Sequence, residues 1–331
     1  MDATPPMTSP DHDPRLAQAQ AWLKRLGLDV QSGFKDVAGD ASFRRYFRLR
    51  INGQTVILMD APPPAEDTRP FTDVTSRLRA AGLKAPEILQ ADAVNGFLLL
   101  EDLGDNLYRG FLGVDNAHEH FPALLDVLQC MARSVDPAGL PEYDTRLLRL
   151  EMDLFPNWYL DHHRRRMPRR EFDRYWDDFC GQVIGSALQQ PACFVHRDFH
   201  SCNLLMTPSG EVGLIDYQDA VLGPVSYDFI SLIWDRYISW PRAQLDTWME
   251  QYRQMLRVTI PPARWRRCCD LMGLQRNIKV VGIFARLYYR DGKSGYLEMI
   301  PRFYDYVIDT LRRYPEFSDI RELLEQSECA P

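Results

Sequence analysis

The residues best suited to chemistry lie in Phe194-Val195-His196-Arg197-Asp198-Phe199-His200-Ser201-Cys202-Asn203-Leu204-Leu205 and in Gly213-Leu214-Ile215-Asp216-Tyr217. Asn203 follows Asp198 by 5 residues, and Asp216 follows it by 18, across a hairpin turn. Phosphoryl transfer needs a carboxylate that orients or deprotonates the attacking hydroxyl, and oxygen ligands from two further positions that hold Mg²⁺ on the phosphates. Asp198 is the candidate base, and Asn203 and Asp216 are the candidate metal ligands. A lone His-x-Asp is ordinarily a polar surface turn. Here apolar strand residues flank both segments, and three oxygen-bearing side chains are spaced to meet.

Those side chains need elements to carry them. The spacing predicts a helix over residues 14–26, with Asp13 as N-cap, Pro14 at its first position and Gly27 as its stop. Strands follow over 42–50 and 55–59, turned at Asn52-Gly53, then a helix over 71–81 and strands over 86–91 and 97–101. From Ala117 onward the pattern is long and amphipathic: helical stretches over 118–133, 145–163, 169–188 and most of 227–324. One short hairpin, 203–206 with 212–215, turns at Pro208-Ser209-Gly210. The expected architecture is α+β, a small antiparallel-sheet lobe with one main helix and a larger helical lobe. The boundary falls near residue 103, after a frayed start over residues 1–12.

Composition narrows the class. The 331 residues carry 39 Lys plus Arg against 46 Asp plus Glu, a formal charge of −7, which argues against a nucleic-acid binder held by bulk charge. With 45% hydrophobic residues, the chain can fill two packed lobes. Seven cysteines without a CxxC pair form neither a disulfide framework nor a zinc pattern by spacing, and they fit a reducing cytoplasm. No apolar run approaches the roughly 20 residues that cross a bilayer, and the first residues lack a signal-peptide pattern. A soluble cytoplasmic monomer is expected.

The chain resembles the aminoglycoside phosphotransferase and choline kinase superfamily, which shares the protein-kinase-like fold. The motifs are His196-x-Asp198-x-x-x-x-Asn203, Ile215-Asp216, Gly223-Pro224-x-x-Tyr227-Asp228 and the hinge-like Leu98-Leu99-Leu100-Glu101-Asp102-Leu103-Gly104. The resemblance implies ATP bound in a cleft between an N-terminal lobe (13–103) and a catalytic, substrate-binding lobe (104–331). Adenine would meet backbone around Glu101 to Leu103, while Asp228 and His196 would brace the catalytic loop. Within the superfamily, Gly39-Asp40-Ala41-Ser42-Phe43-Arg44-Arg45-Tyr46, Met59-Asp60-Ala61-Pro62-Pro63 and Ile283-Phe284-Ala285-Arg286-Leu287-Tyr288-Tyr289-Arg290-Asp291-Gly292-Lys293 look like the bacterial kinases that phosphorylate N-acetylmuramic acid and N-acetylglucosamine at C1 in peptidoglycan recycling.

The sequence departs from the kinase pattern at one place. The third-strand cation that usually holds the α and β phosphates is replaced by Met59. Arg44 or Arg45 could supply that charge, though successive strand residues point to opposite faces, so only one can face the nucleotide. Ser42, in a loop with a single glycine, could meet the β phosphate. For the acceptor, Tyr217, Asp219, Asp235, Arg236, Arg286 and Tyr289 are candidate contacts, each with an equally plain core or ion-pair reading. A lactyl carboxylate would want Arg236 or Arg286. The basic run 162–170 reads as a solvated connection, and Cys193, Cys202, Cys268 and Cys269 carry no chemistry.

The expectation is therefore an ATP- and Mg²⁺-dependent amino-sugar 1-kinase. Two alternatives stand beside it: a kinase of the same fold with an amino alcohol or aminoglycoside acceptor, and a pseudokinase that binds nucleotide without transfer.

Overall fold

Asp13 starts the first helix as its residue type requires: its side chain accepts from the N–H groups of Arg15 and Leu16, and Pro14 occupies the first turn. This helix, α1 (Pro14–Arg25), ends before Gly27, whose φ of +73° is the left-handed conformation that favours glycine. A computed structural model describes residues 7–8, 13–37, 43–164 and 169–328 of the chain. They divide into two compact units: residues 1–110 with 202–219, and residues 111–201 with 220–331.

The first unit is built on six strands: β1 (Met7–Thr8), β2 (Phe34–Val37), β3 (Arg45–Ile51), β4 (Gln54–Asp60), β5 (Ile88–Asp92) and β6 (Phe97–Glu101). They run antiparallel in the order β1-β2-β3-β4-β6-β5. Asn52 and Gly53, at φ +50° and +82°, make the tight turn between β3 and β4. That pair of left-handed residues matches the twist of the strands it joins. Alternate residues Phe47, Leu49 and Ile51 of β3 and Val56 and Leu58 of β4 face α1, where Leu16, Ala19, Trp22 and Leu23 close the core. Trp22 stacks on Phe97 with ring centroids 5.9 Å apart. Between β4 and β5 the chain forms α2 (Arg69–Ala80).

Several sequence expectations are corrected here. Met7 and Thr8 pair with Lys35 and Phe34, so part of the frayed start is a strand, while residues 1–6 and 9–12 lie outside the described residues. The short β2 has only Phe34 and Val37 as apolar residues, too little alternation to stand out. The hairpin Leu204–Met206 with Val212–Leu214 belongs to the first unit, not to the later helical part. Its strands find backbone partners in distant loops: Leu214 N–H donates to Lys84 O (2.8 Å) and Met206 N–H to Asn106 O (2.8 Å). The first unit also extends to Gly110 rather than to residue 103.

The second unit contains α3 (Ala117–Ser134), α4 (Thr145–Met152), α5 (Arg169–Leu188), α6 (Tyr227–Ile233), α7 (Arg242–Leu256), α8 (Pro262–Tyr289), α9 (Ile300–Leu311) and α10 (Ser318–Glu328). The sequence predicts one helix over 145–163. Instead α4 ends at Met152 and Phe155–His163 is π-helical. Pro156 in its first turn has no N–H to continue the regular ladder. A two-stranded ribbon, Ala192–Val195 with Val221–Pro224, leads into the motif loop.

Helix α8 is buried along most of its length and packs on the π-helical segment, α9 and α5. Two glycines allow this. A Cβ on Gly273 would overlap the ring of Trp234, and one on Gly282 would lie 2.5 Å from the backbone of Leu154. Among the described residues no helix is long and apolar enough to cross a membrane.

Candidate active site

Two buried aspartates hold the two ends of the loop that carries Asp198. Asp228, at the start of α6, accepts from the N–H of His196 (2.6 Å) and of Arg197 (3.0 Å). Asp235, just past the end of α6, accepts from the N–H of Ser201 (2.9 Å) and of Tyr237 (2.7 Å). Side chains that satisfy backbone donors in this way replace the partners a loop lacks. Arg197 adopts φ +76° under this restraint. Burial pushes the Asp228 carboxyl up to about 7, against the pull of the two N–H groups.

Asp198 is half-buried in this loop. Burial by itself raises its carboxyl, but the charges of Lys279, His200, Arg276 and His196 outweigh that and hold it below the ordinary value. It is therefore ionised at neutral pH and able to accept a proton or a hydrogen bond. Burial pushes the His200 imidazole down to about 4, although Asp198 pulls it the other way. His196 is fully buried, and its Nδ1 lies 3.3 Å from the N–H of Asp198.

The hairpin supplies the other two motif residues, within the first unit. Asn203 Nδ2 donates to Asp216 Oδ2 at 3.3 Å, and Gln218 Nε2 donates to Asp216 Oδ1 at 2.9 Å. Ile215 N–H donates to Asn203 O (3.2 Å), which ties the two strands' ends together. Asp216 has φ +64°, a left-handed conformation uncommon outside glycine. Arg44 Nη2 lies 4.0 Å from Asp216 Oδ1, and its Nε 3.8 Å from Glu66 Oε2.

These residues fit a magnesium ion. The amide of Asn203 turns its NH₂ to Asp216, its carbonyl oxygen is a hard donor by type, and the Asp216 carboxylate keeps about a third of its side-chain area exposed. Mg²⁺ takes few protein oxygens and completes its octahedron with water and phosphate.

The remaining predicted residues separate into distinct surroundings. Arg45 is ion-paired with Asp13 and with Asp60 (2.5 Å), so the two neighbouring arginines have different partners. Met59 is buried mid-sheet, paired with Leu98. Glu101 accepts from Lys84 Nζ (2.6 Å) and from Glu87 N–H (3.2 Å), and Leu103 is buried. Ser42 lies outside the described residues.

Among the acceptor candidates, Tyr217 is fully buried, stacked on Phe71 and hydrogen-bonded to Thr75 Oγ1 at 2.8 Å. It packs the first unit. Asp235, with both oxygens on backbone donors, braces the loop. Asp219 is 3.4 Å from Gln218 Nε2. Arg236 lies over the Phe284 ring at 5.2 Å. Burial, with Arg290 nearby, lowers the Arg286 guanidinium. Tyr289 stacks on His162 and its hydroxyl lies 3.0 Å from His163 Nδ1.

Sequence reasoning missed Glu151, Lys279, Glu66 and Gln218. Glu151 sits in an amphipathic helix where a carboxylate reads as surface, and its partners Arg197 and Gln275 are 46 and 124 residues away.

The phosphotransferase enzyme family model matches residues 33–268, which span both halves of the motif and Asp228. The chain belongs to this family. Among its phosphotransferase relatives, the N-acetylmuramate/N-acetylglucosamine kinase of Pseudomonas aeruginosa is 42% identical, over 94% of this chain and 96% of its own length. That of Pseudomonas putida is 39% identical over 95% and 97%, and that of Neisseria meningitidis 34% over 94% and 95%. The fold is shared with the crystal structure of a choline/ethanolamine kinase family protein from Mesorhizobium loti (TM-score 0.63, 14% identity, 94% of this chain and 99% of that one). It is shared also with the ADP-bound aminoglycoside phosphotransferase APH(2'')-Ib (TM-score 0.56, 12% identity, 87% and 95%). Its class is therefore that of the α+β, protein-kinase-like phosphotransferases.

Proposed function

We propose that this phosphotransferase moves the γ-phosphoryl group of ATP to the anomeric C1 hydroxyl of N-acetylmuramic acid and N-acetylglucosamine in the cytoplasm, in cell-wall recycling. The observation that carries the substrate class is the 42% identity, across nearly the whole of both chains, to a kinase named for those two sugars. Six free cysteines among the described residues are in keeping with a reducing compartment.

In the proposed mechanism Asp198 accepts the proton of the acceptor hydroxyl as its oxygen bonds to the γ phosphorus. The bond to the β-phosphate oxygen breaks and ADP leaves. An anomeric hydroxyl is more acidic than an ordinary alcohol, so an ionised carboxylate held below its usual value suffices as base. Asp228 and Asp235 fix the loop from both ends, so that Asp198 needs little reorganisation. Asn203 and Asp216 would hold Mg²⁺, which when bound offsets charge on the β and γ phosphates. Arg44, backed by Glu66, stands in for the cation missing at Met59. Backbone near Glu101 and Leu103 would take the adenine, and Asp219, Arg236, Arg286 and Tyr289 remain the acceptor-side candidates.

Phosphorus NMR of the product from N-acetylmuramic acid and ATP tests the reading. A doublet coupled to H1 of the sugar is expected. A phosphate on C6, or ADP release that no amino sugar stimulates but an amino alcohol or aminoglycoside does, overturns it.

A further inference from the structure

Glu151, near the end of α4, is a buried carboxylate for which the mechanism above has no use. It is 7% exposed. Its Oε1 accepts from Arg197 Nη2 (2.5 Å) and Lys279 Nζ (2.9 Å); its Oε2 accepts from the Tyr143 hydroxyl and from Gln275 Nε2 (3.2 Å). Lys279, on α8, also donates to the Tyr227 hydroxyl at 3.1 Å. One carboxylate thus gathers two cations from different elements, and both lead to Asp198. Arg197 is its chain neighbour, held in a left-handed conformation, and Lys279 is the largest favourable charge that Asp198 meets.

We propose that Glu151 is a positioning residue for phosphoryl transfer, anchoring the side chain of Arg197 and holding Lys279 away from a direct pairing with Asp198. The inference rests on the reading of Asp198 as proton acceptor. The charge count supports it. The buried Lys279 and the partly buried Arg197 against one carboxylate leave an excess of one positive charge, and Lys279 also faces the carboxylate of Asp198. A buried ion pair that served stability alone would be matched by an apolar substitute of similar volume. Around Asp198 the charged and titratable groups are Lys279 and Arg276 of α8, His196 and His200 of its own loop, and Asp228 of α6. Around Glu151 they are Arg197, Lys279, Tyr143 and Tyr227.

When Glu151 becomes neutral, Lys279 turns to Asp198 and blocks it as a base. The experiment compares Glu151→Gln, Glu151→Asp, Lys279→Met and the double variant Glu151→Gln/Lys279→Met, using an acceptor that the wild-type protein is first shown to phosphorylate. Glu151→Gln is expected to lower kcat about 10²-fold with the ATP KM unchanged, the size of a misplaced catalytic group. Glu151→Asp, which keeps the charge, regains most of that loss. The double variant is expected to be more active than Glu151→Gln alone, because the interfering cation is gone. A double variant no more active than the single one overturns the proposal, since a purely structural Glu151 predicts that result. Lys279→Met leaves Glu151 its pairing with Arg197, and with a circular dichroism spectrum that matches the wild type it decides the matter if Glu151→Gln does not fold. The acid limb of its kcat/KM profile should move to higher pH as Asp198 loses its strongest cation, and an unmoved limb overturns the proposal. A wild-type protein active only on another acceptor would remove the sugar assignment and leave this comparison intact.

Discussion

Arg44 Nη2 stands 4.0 Å from Asp216 Oδ1, in a unit where the strand position expected to carry the phosphate-binding cation is the buried Met59. Arg44 lies just before β3, the strand that precedes the one carrying Met59. Glu66, 3.8 Å from its Nε, backs it from the segment before α2. Arg45 closes instead on Asp13 and on the fully buried Asp60.

The neighbouring arginines should therefore fail differently. Arg44→Ala is expected to raise the ATP KM or lower kcat about 10- to 100-fold, the worth of a charge-assisted contact to phosphate, with thermal stability little changed. Arg45→Ala should leave kinetics near wild type and cost about 1–3 kcal/mol of stability, since among the described residues Asp60 then keeps Arg15 as its cationic partner. Steady-state kinetics and urea denaturation of both variants check this, and the reverse pattern would exchange their roles.

Asp198→Asn should lower kcat about 10²- to 10⁴-fold, the range of general-base catalysis, without weakening nucleotide binding. Calorimetric titration with ADP, set beside turnover, separates the two effects. A variant with near-normal turnover removes Asp198 from the chemistry.

Asp228 makes stability depend on pH in a definite direction. Its native carboxyl is raised from 3.8 to about 7, so the stability it contributes is complete below 3.8 and is lost as pH rises through about 7. The Tm of the wild type minus that of Asp228→Asn should shrink between pH 4 and pH 8. A difference that grows over that range would show that the ionised form is the favoured one.

Gly273→Ala should destabilise strongly, because the added Cβ would overlap the buried Trp234 ring. Over-packing of this kind costs about 1–3 kcal/mol or more. Pairing it with Trp234→Leu makes room for the Cβ, and recovery of part of the loss in chemical denaturation would locate the clash.

Tyr217→Phe should cost about 0.5–1.5 kcal/mol for the lost hydroxyl contact with Thr75. The sugar KM should not change. A raised sugar KM would return Tyr217 to the acceptor site.

By itself the sequence determined the local elements and singled out the candidate reacting groups. The Asp13 cap, the Asn52-Gly53 turn, and the periodicity of α2, α3 and α5 are set by neighbours a few residues apart, where propensity and patterning act directly. The spacing of Asp198, Asn203 and Asp216 was legible for the same reason, since one loop and one hairpin carry all three. What the tertiary structure decided is which side chains serve those groups. Asp235, a candidate sugar contact with an equally plain ion-pair reading, accepts from the N–H of Ser201, and Tyr217, a candidate with a core reading, is buried against Phe71 and Thr75. Glu151 and Lys279, which look like surface charges on amphipathic helices, meet around Arg197. Even the allegiance of the hairpin to the first unit depends on hydrogen bonds to Lys84 and Asn106, more than 90 residues away in sequence. A buried charge or an unpaired strand edge must find a partner wherever the folded chain offers one, and no local pattern in a single sequence records where that is.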